Sequence, residues 1–517
     1  MTHGIHNRRQ LLRIGGAMSM LGAASPFAAQ LMAAGNAASQ SAPDYKALVC
    51  IFLFGGNDSH NTVLATDSDS WGRYFAARNT GNAPIALMPV GTPPTPVGAT
   101  SPVTGRVAQA NTPEAWGGVL PIVPRTPNPI PAGTNATVRT FGLHPFLGPL
   151  KTLFDAGRLG VVANVGTLIR PITKAQYQGR TVAFPANLFS HNDQQSTWQA
   201  GQTEGARVGW GGRYGDLLSS LNGNGSLFTA ISTAGNAVFL SGQSVVQYQM
   251  TTAAQPAVVI TGQSANSLFG STVAPGRVRD IITDTSSASL FAADYATTTG
   301  RSIGAATSVN SVFASSAATG VQAAPAYVNP ITGATETNSL AVQLQTVARM
   351  IAAAPTLGAK RQVFFVSLGG WDTHDFQNTA QANNLAKVAH AMAYFDSALG
   401  NLGGVNMRPA VTTFTASDFS RTFTTNGDGT DHAWGGHHFV MGGSVRGGDI
   451  YGQYPTLGVD LGTFQNPDMS RASLVPTTSV DQYGATMGRW MGVSESNLDT
   501  IFPNLGNFGT RGLGFLG

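Results

Sequence analysis

Between Ser417 and His438 the chain carries three Asp, three His and one Arg, although only 10% of its residues are charged. The acids are Asp418, Asp428 and Asp431, the imidazoles His432, His437 and His438, and the cation Arg421. They follow the apolar run 410–415 and are interleaved with glycines. Carboxylates and imidazoles at the end of a strand can hold a divalent ion or move a proton.

Three further polar clusters share this chemistry: Asn57–His60, Ser190–Asp193 and Asp372–Asp375. Three of the four clusters directly follow predicted strands, and Ser190–Asp193 stands roughly 25 residues past one. Ligands of open α/β sheets bind at the carboxyl ends of the strands, so clusters far apart in sequence can converge there. Asp58, Asp372, His374, Asp418, Asp431 and His432 are the candidate ligands. Oxygen and imidazole donors suit Zn, Mn, Mg or Ca, as one ion or two. The single cysteine, Cys50, rules out a thiolate cluster and lies in an apolar run as a small buried hydrophobe. The same residues can instead form a buried hydrogen-bonded network that ties loops to the sheet without an ion. His144 and His390 lie on helical segments and are read as structural.

The elements that would position these residues alternate strand and helix. The runs 47–54, 159–166, 361–368 and 410–415 read as buried strands, with 438–443 a further one. Helices are expected within 142–157 and over 338–353, 379–399 and 480–491, the last capped by Thr478 or Ser479. This order predicts an α/β fold, a three-layer sandwich around a mostly parallel sheet. Its first part spans 40–214, with a Pro- and Gly-rich excursion at 78–138. Residues 215–337, rich in Ser, Thr, Ala and Gly, read as an insertion or cap with short strands around 237–262 and helices around 287–317. The second part spans 338–517. The 63 glycines and 28 prolines fit so many loops.

The N-terminus reads as a leader rather than as fold. Arg8-Arg9 followed by Gln10 and apolar residues has the pattern of a twin-arginine signal, and residues 1–39 are assigned to it. The expected partner is the twin-arginine translocation machinery, the destination the periplasm or exterior, with no membrane anchor after cleavage. Loss of Arg8, Arg9 and Arg13 takes the formal charge from +4 to +1. No basic tract suits nucleic acid. Gly55-Gly56-Asn57-Asp58 lacks the third glycine of a dinucleotide fingerprint, which disfavours an oxidoreductase.

Several motifs together resemble an exported domain-of-unknown-function family, numbered fifteen hundred and one, related to the alkaline phosphatase and sulfatase superfamily. They include Phe54–Asp58, Leu143–Leu150, Ser190-His191, Gly369–His374, Ser417–Thr422, Gly429–His438 and Ile501–Asn504. The resemblance implies an alkaline phosphatase-like sheet and two divalent ions. Asp58 matches the early ligand, Ser190 the nucleophile at a helix start, Asp372 and His374 the next pair, and His432 the last histidine. Asp418 matches an acid at a strand end, but Phe419 occupies the place of its paired histidine. Asp431 or His437 is the candidate replacement. Arg421 would clamp an oxygen of an anionic ester, or pair with Asp418 or Asp428. Trp371 and Trp434 flank the ligands and read as core. The implied activity is hydrolysis of phosphate or sulfate esters; the alternative is a non-catalytic exported binding or assembly protein that keeps the fold.

Overall fold

Lys46–Leu53 (β1) is buried at every position but its first, because apolar layers cover both of its faces. Ala47, Val49 and Ile51 enter one core, and Leu48, Cys50 and Phe52 enter the other. The computed structural model describes residues 44–517 apart from 132, 255, 258, 261 and 316–319. The assigned leader therefore lies outside the described residues.

After β1 come helices Ser68–Arg78 (α1) and Gly148–Asp155 (α2) and strand Leu159–Gly166 (β2). Helices His191–Ala200 (α3) and Trp210–Leu218 (α4) precede short strands Ala230–Ser232 (β3) and Tyr248–Gln249 (β4). Leu290–Phe313 (α5) and Ser339–Leu357 (α6) lead to strand Arg361–Leu368 (β5) and helix Gln377–Gly400 (α7). Strands Val411–Ser417 (β6), Gly436–Met441 (β7), Ile450–Tyr451 (β8) and Thr478–Ser479 (β9) complete the sheet, and Val480–Met491 (α8) follows.

The nine-stranded sheet runs β8-β2-β7-β6-β1-β5-β3-β4, with β9 also against β2. β1 pairs in parallel with both β5 and β6, so that Val49 stands between Phe364 and Thr413. Only β7 runs against its neighbours. Residues of α2, α6 and α7 fill the core on one face; Trp198 of α3, α4 and α8 fill the other. This is a mixed α/β fold with helices on both faces of a mostly parallel sheet.

Most predicted elements stand within a few residues of their expected bounds. The start of α8 is set as its sequence suggests: Ser479 and Gln482 form a reciprocal capping box. In the middle region the helix expected around 287–317 stands as α5, and β4 falls within the strands expected around 237–262. The composition shift near 215 is not an edge of the sheet, because β3 and β4 extend it and α5 packs Val309, Val312 and Phe313 into the main core. Two- and three-residue strands are too short to leave a period-two pattern. In the 78–138 excursion, Leu120–Ile122 joins a small antiparallel sheet with Phe141–Leu143 and Val63–Ala65. Among the described residues no helix is long and apolar enough to cross a membrane.

A buried ion pair ties the first loop to this frame. Asp58 caps the short turn 59–61 by accepting from the His60 amide at 3.0 Å. Both of its oxygens face Arg78 at the end of α1, with Nη2 to Oδ1 at 3.0 Å, and neither side chain has exposed surface. Arg78 also donates to the Phe423 and Thr422 carbonyls, at 2.8 and 2.7 Å. Removing one member leaves a buried charge alone. Arg78→Met is therefore expected to lower unfolding free energy in urea by about 3–5 kcal/mol, with Asp58→Asn added to Arg78→Met recovering part of it. An unchanged midpoint for the single variant would contradict this role.

Candidate metal centre

The loops leaving β1, β5 and β6 meet at the carboxyl ends of their strands. Gly55 and Gly56 turn the first loop, with φ of +119° and +89°. A Cβ on Gly55 would stand 2.4 Å from the Asp372 amide nitrogen, and one on Gly56 2.6 Å from the Phe419 ring. Only glycine permits both the conformation and the approach.

Arg421 fastens this junction. Its Nε donates to the Gly56 carbonyl at 3.0 Å and its Nη1 to the Thr430 carbonyl at 3.2 Å. Nη2 donates to the Gly55 carbonyl and to Asp372 Oδ1. Arg421 has no exposed surface. Its ionic partner is Asp372, not Asp418 or Asp428, and it cannot reach a substrate in solvent.

Around Asp372 stand three imidazoles. His374 Nε2 lies 3.1 Å from Asp372 Oδ1 and 3.0 Å from His432 Nε2. His432 Nε2 is 3.3 Å from Asp372 Oδ1, and His191 Nε2 is 3.5 Å from Oδ2. Ligand atoms of His191, Asp372 and His432 all lie within 4.8 Å of one another. The cluster opens to solvent: the side chains of Asp372 and His374 are 47% and 41% exposed.

Each imidazole is held from behind through its other nitrogen. His191 Nδ1 meets Asp418 Oδ2 at 2.7 Å, His432 Nδ1 meets the Phe189 carbonyl at 2.7 Å, and His374 Nδ1 meets Asp431 Oδ1 at 3.4 Å. A carbonyl can only accept, so the proton of neutral His432 sits on Nδ1 and its Nε2 lone pair faces Asp372. Burial lowers the His432 pKa, as do the Arg421 and His191 charges, which favours that neutral form. The Asp418 hydrogen bond raises the His191 pKa. Burial, the largest single effect, works to raise the Asp372 pKa, but the hydrogen bond from Arg421 and the charges of Arg421, His191 and His374 together outweigh it and the net shift is downward. Phe189 aims its carbonyl from φ +74°, an uncommon conformation for a bulky residue.

These donors fit a divalent metal. With bonds of about 2.0–2.1 Å, neighbouring ligands of a four- to six-coordinate ion stand about 2.9–3.4 Å apart. The separations among His374 Nε2, His432 Nε2 and Asp372 Oδ1, 3.0 to 3.3 Å, fall in that range. Acceptors behind each histidine are the usual surroundings of metal-ligating imidazole.

The sequence-predicted residues thus divide. Asp372, His374 and His432 come together at the centre. Asp418 and Asp431 stand one layer back, each behind a histidine. Asp58 stands apart, because Arg78 and the Gln377 amide, 2.6 Å from Oδ2, occupy its oxygens. His437 is apart as well: β7 begins at Gly436, so His437 is a core position whose Nδ1 accepts from the Asn164 amide at 3.0 Å while its ring stacks on Tyr454. Ser190 does begin a helix, but its hydroxyl bonds Asp193, whose pKa that bond lowers. Trp371 and Trp434 are buried, in keeping with core packing.

His191 is the residue that sequence reasoning passed over beside Ser190. Gln195, one helical turn on, donates to the same Asp418 oxygen at 2.9 Å. The i, i+4 pair of polar residues in the first turns of α3 was the available signal. The imidazole that meets Asp418 is supplied from 227 residues earlier in the chain. Phe419 instead puts its ring against His191 and His432, with centroids 4.8 and 4.5 Å away.

A mostly parallel α/β sheet with an imidazole–carboxylate cluster at its strand ends is the class that fold and site define. The sequence profile of the family described as "Protein of unknown function (DUF1501)" matches residues 45–502, and the chain belongs to that family. No curated protein matches the chain in sequence.

Four other histidines give the fold a pH dependence. His60, His144, His437 and His438 are buried, and burial lowers their pKa values, to about 3 for His144 and His438. Unfolding lets them bind protons near 6.5. Their contribution is therefore full above pH 6.5 and is lost as pH falls from 6.5 toward 3. Asp481, raised by burial to about 7, acts oppositely and loses its contribution as pH rises through 7. The urea midpoint is expected to fall from pH 6.5 to 4.5 as the unfolded chain takes up protons at these histidines, with Asp481 offsetting part of the loss. A midpoint flat over this range would refute the neutral assignment.

Proposed function

We propose that the protein is an exported hydrolase of phosphate or sulfate esters that works with one divalent ion, held by His191, Asp372, His374 and His432. The observation that carries this reading is the orientation of three imidazoles. Each has Nδ1 against an oxygen acceptor and Nε2 toward one carboxylate. Three nitrogens and a carboxylate suit Zn or Mn better than Mg or Ca, which favour all-oxygen sets. A divalent ion there supplies Lewis-acid polarisation of an ester oxygen and a lowered pKa for water.

In this reading Asp418, with Gln195, holds His191, while Arg421 positions Asp372 rather than clamping substrate. The antiparallel β7 and ligands at strand ends support an alkaline phosphatase-like architecture that keeps one metal set of two. A non-catalytic exported binding protein using the same ion is the second reading. It is favoured by the Ser190 hydroxyl bonding Asp193 and by the closure of Asp58 with Arg78.

Mass spectrometry of protein purified after native export is expected to find Zn or Mn close to stoichiometric. His432→Ala and Asp372→Ala should lose the ion yet unfold cooperatively, and Asp418→Asn should weaken affinity by about 10–100-fold. Absence of any ion, with a melting temperature unmoved by added Zn or Mn, rejects the metal reading. Aryl phosphate and aryl sulfate turnover then separates the substrate classes; an ion-loaded protein that turns over neither supports the binding reading.

Export by the twin-arginine route has its own test. Arg8→Lys with Arg9→Lys is expected to leave folded, uncleaved protein in the cytoplasm. Normal export of that variant would exclude the route.

A further inference from the structure

A cavity of about 150 Å³ lies away from the metal centre, between the start of α8, the end of α3 and the segments following β2. Asp481 lines it from the first turn of α8. This carboxyl is only 7% exposed; hydrogen bonds from Asn504, another wall residue, oppose the rise in its pKa, and its Oδ2 is left without a partner among the described residues. A buried carboxyl oxygen without a partner is costly unless a ligand or water satisfies it.

The other walls decide what kind of ligand fits. Among the described residues no Lys, Arg or His lines the cavity, so no cationic side chain there offsets the Asp481 charge or would balance an anion. Thr167 donates its hydroxyl proton to Gln194 Oε1 at 2.8 Å, and Thr197 donates its own to the Asp193 carbonyl at 2.7 Å. Both hydroxyls are thereby left as acceptors. Leu168 and Val480 supply apolar wall. A hard cation such as Ca wants about six to eight oxygens, and Zn wants imidazole or thiolate, neither of which this largely apolar wall provides. A donor-rich cationic head on a short apolar body matches both halves. A cavity of this volume takes a molecule about the size of benzene.

We propose that this cavity is a binding site for a small primary ammonium compound, its head on the Asp481 carboxylate and its apolar body against Leu168 and Val480. Burial raises the Asp481 pKa to about 7, so an ammonium would displace a proton that the carboxyl otherwise carries near neutrality.

Calorimetric titration of the full protein with butylammonium, butyrate and butanol tests this. The expected result is saturable one-to-one binding of butylammonium, with proton release at pH 6, and no binding of butyrate. Asp481→Asn, close to isosteric, should weaken butylammonium binding by at least about tenfold. Ala186→Phe, which fills the cavity while keeping the acid, should do the same, and it serves if the first variant fails to fold. His432→Ala should bind butylammonium as the wild type does, because the amine does not sit on the metal centre. No butylammonium binding, equal binding of butyrate, binding indifferent to both cavity variants, or binding lost in His432→Ala would each overturn the proposal.

Discussion

Arg421 carries its positive charge with no contact to water, and the junction of three loops follows from that constraint. A buried guanidinium must have its donors satisfied and its charge balanced. The carbonyls of Gly55, Gly56 and Thr430 do the first, and Asp372 does the second. Those partners belong to the loop after β1, the loop after β5 and the excursion between β6 and β7. One side chain thus fixes the relative positions of three chain segments whose strands lie side by side in the sheet. The glycines at 55 and 56 follow from the same crowding, since no Cβ fits beside Asp372 or Phe419.

A second buried arginine repeats the arrangement one step deeper. Arg78 pairs with Asp58 and binds the carbonyls of Thr422 and Phe423, which fastens α1 to the far side of the same excursion. The two arginines divide the acids between them. Asp58 is closed off from solvent, whereas Asp372 keeps 47% of its side chain exposed with Arg421 behind it. An acid held from below and open above is the one around which the histidines gather. Their Nε2 atoms face it because an acceptor stands behind each ring, so orientation is imposed by the second layer rather than by the imidazoles themselves.

The strands were legible because burial on both faces leaves unbroken apolar runs, as in 47–53, where the expected and observed bounds differ by one residue. The start of α8 was legible because Ser479 and Gln482 act locally. β3 was not, being three residues long and recognisable only by its neighbours β5 and β4, whereas β4 falls within the short strands expected around 237–262. At the centre, Asp372, His374 and His432 were legible as dense polar clusters beside strand ends. Asp58 and His437 shared that signature and went elsewhere. What separated them was Arg78 in one case and the register of β7 in the other.

By itself, then, the sequence determined the family, the α/β alternation, the strand ends at which chemistry gathers and the oxygen–nitrogen character of any ligand set. These depend on residue type and short-range spacing, which the chain states directly. Only the tertiary structure decided that His191, and not Phe419's neighbours, faces Asp418, that Arg421 serves Asp372, and that His191, His374 and His432 gather around that acid. Those choices are made between residues tens to hundreds of positions apart. Their physical basis is the need to pair every buried charge, and which charge meets which is settled by packing, not by order along the chain.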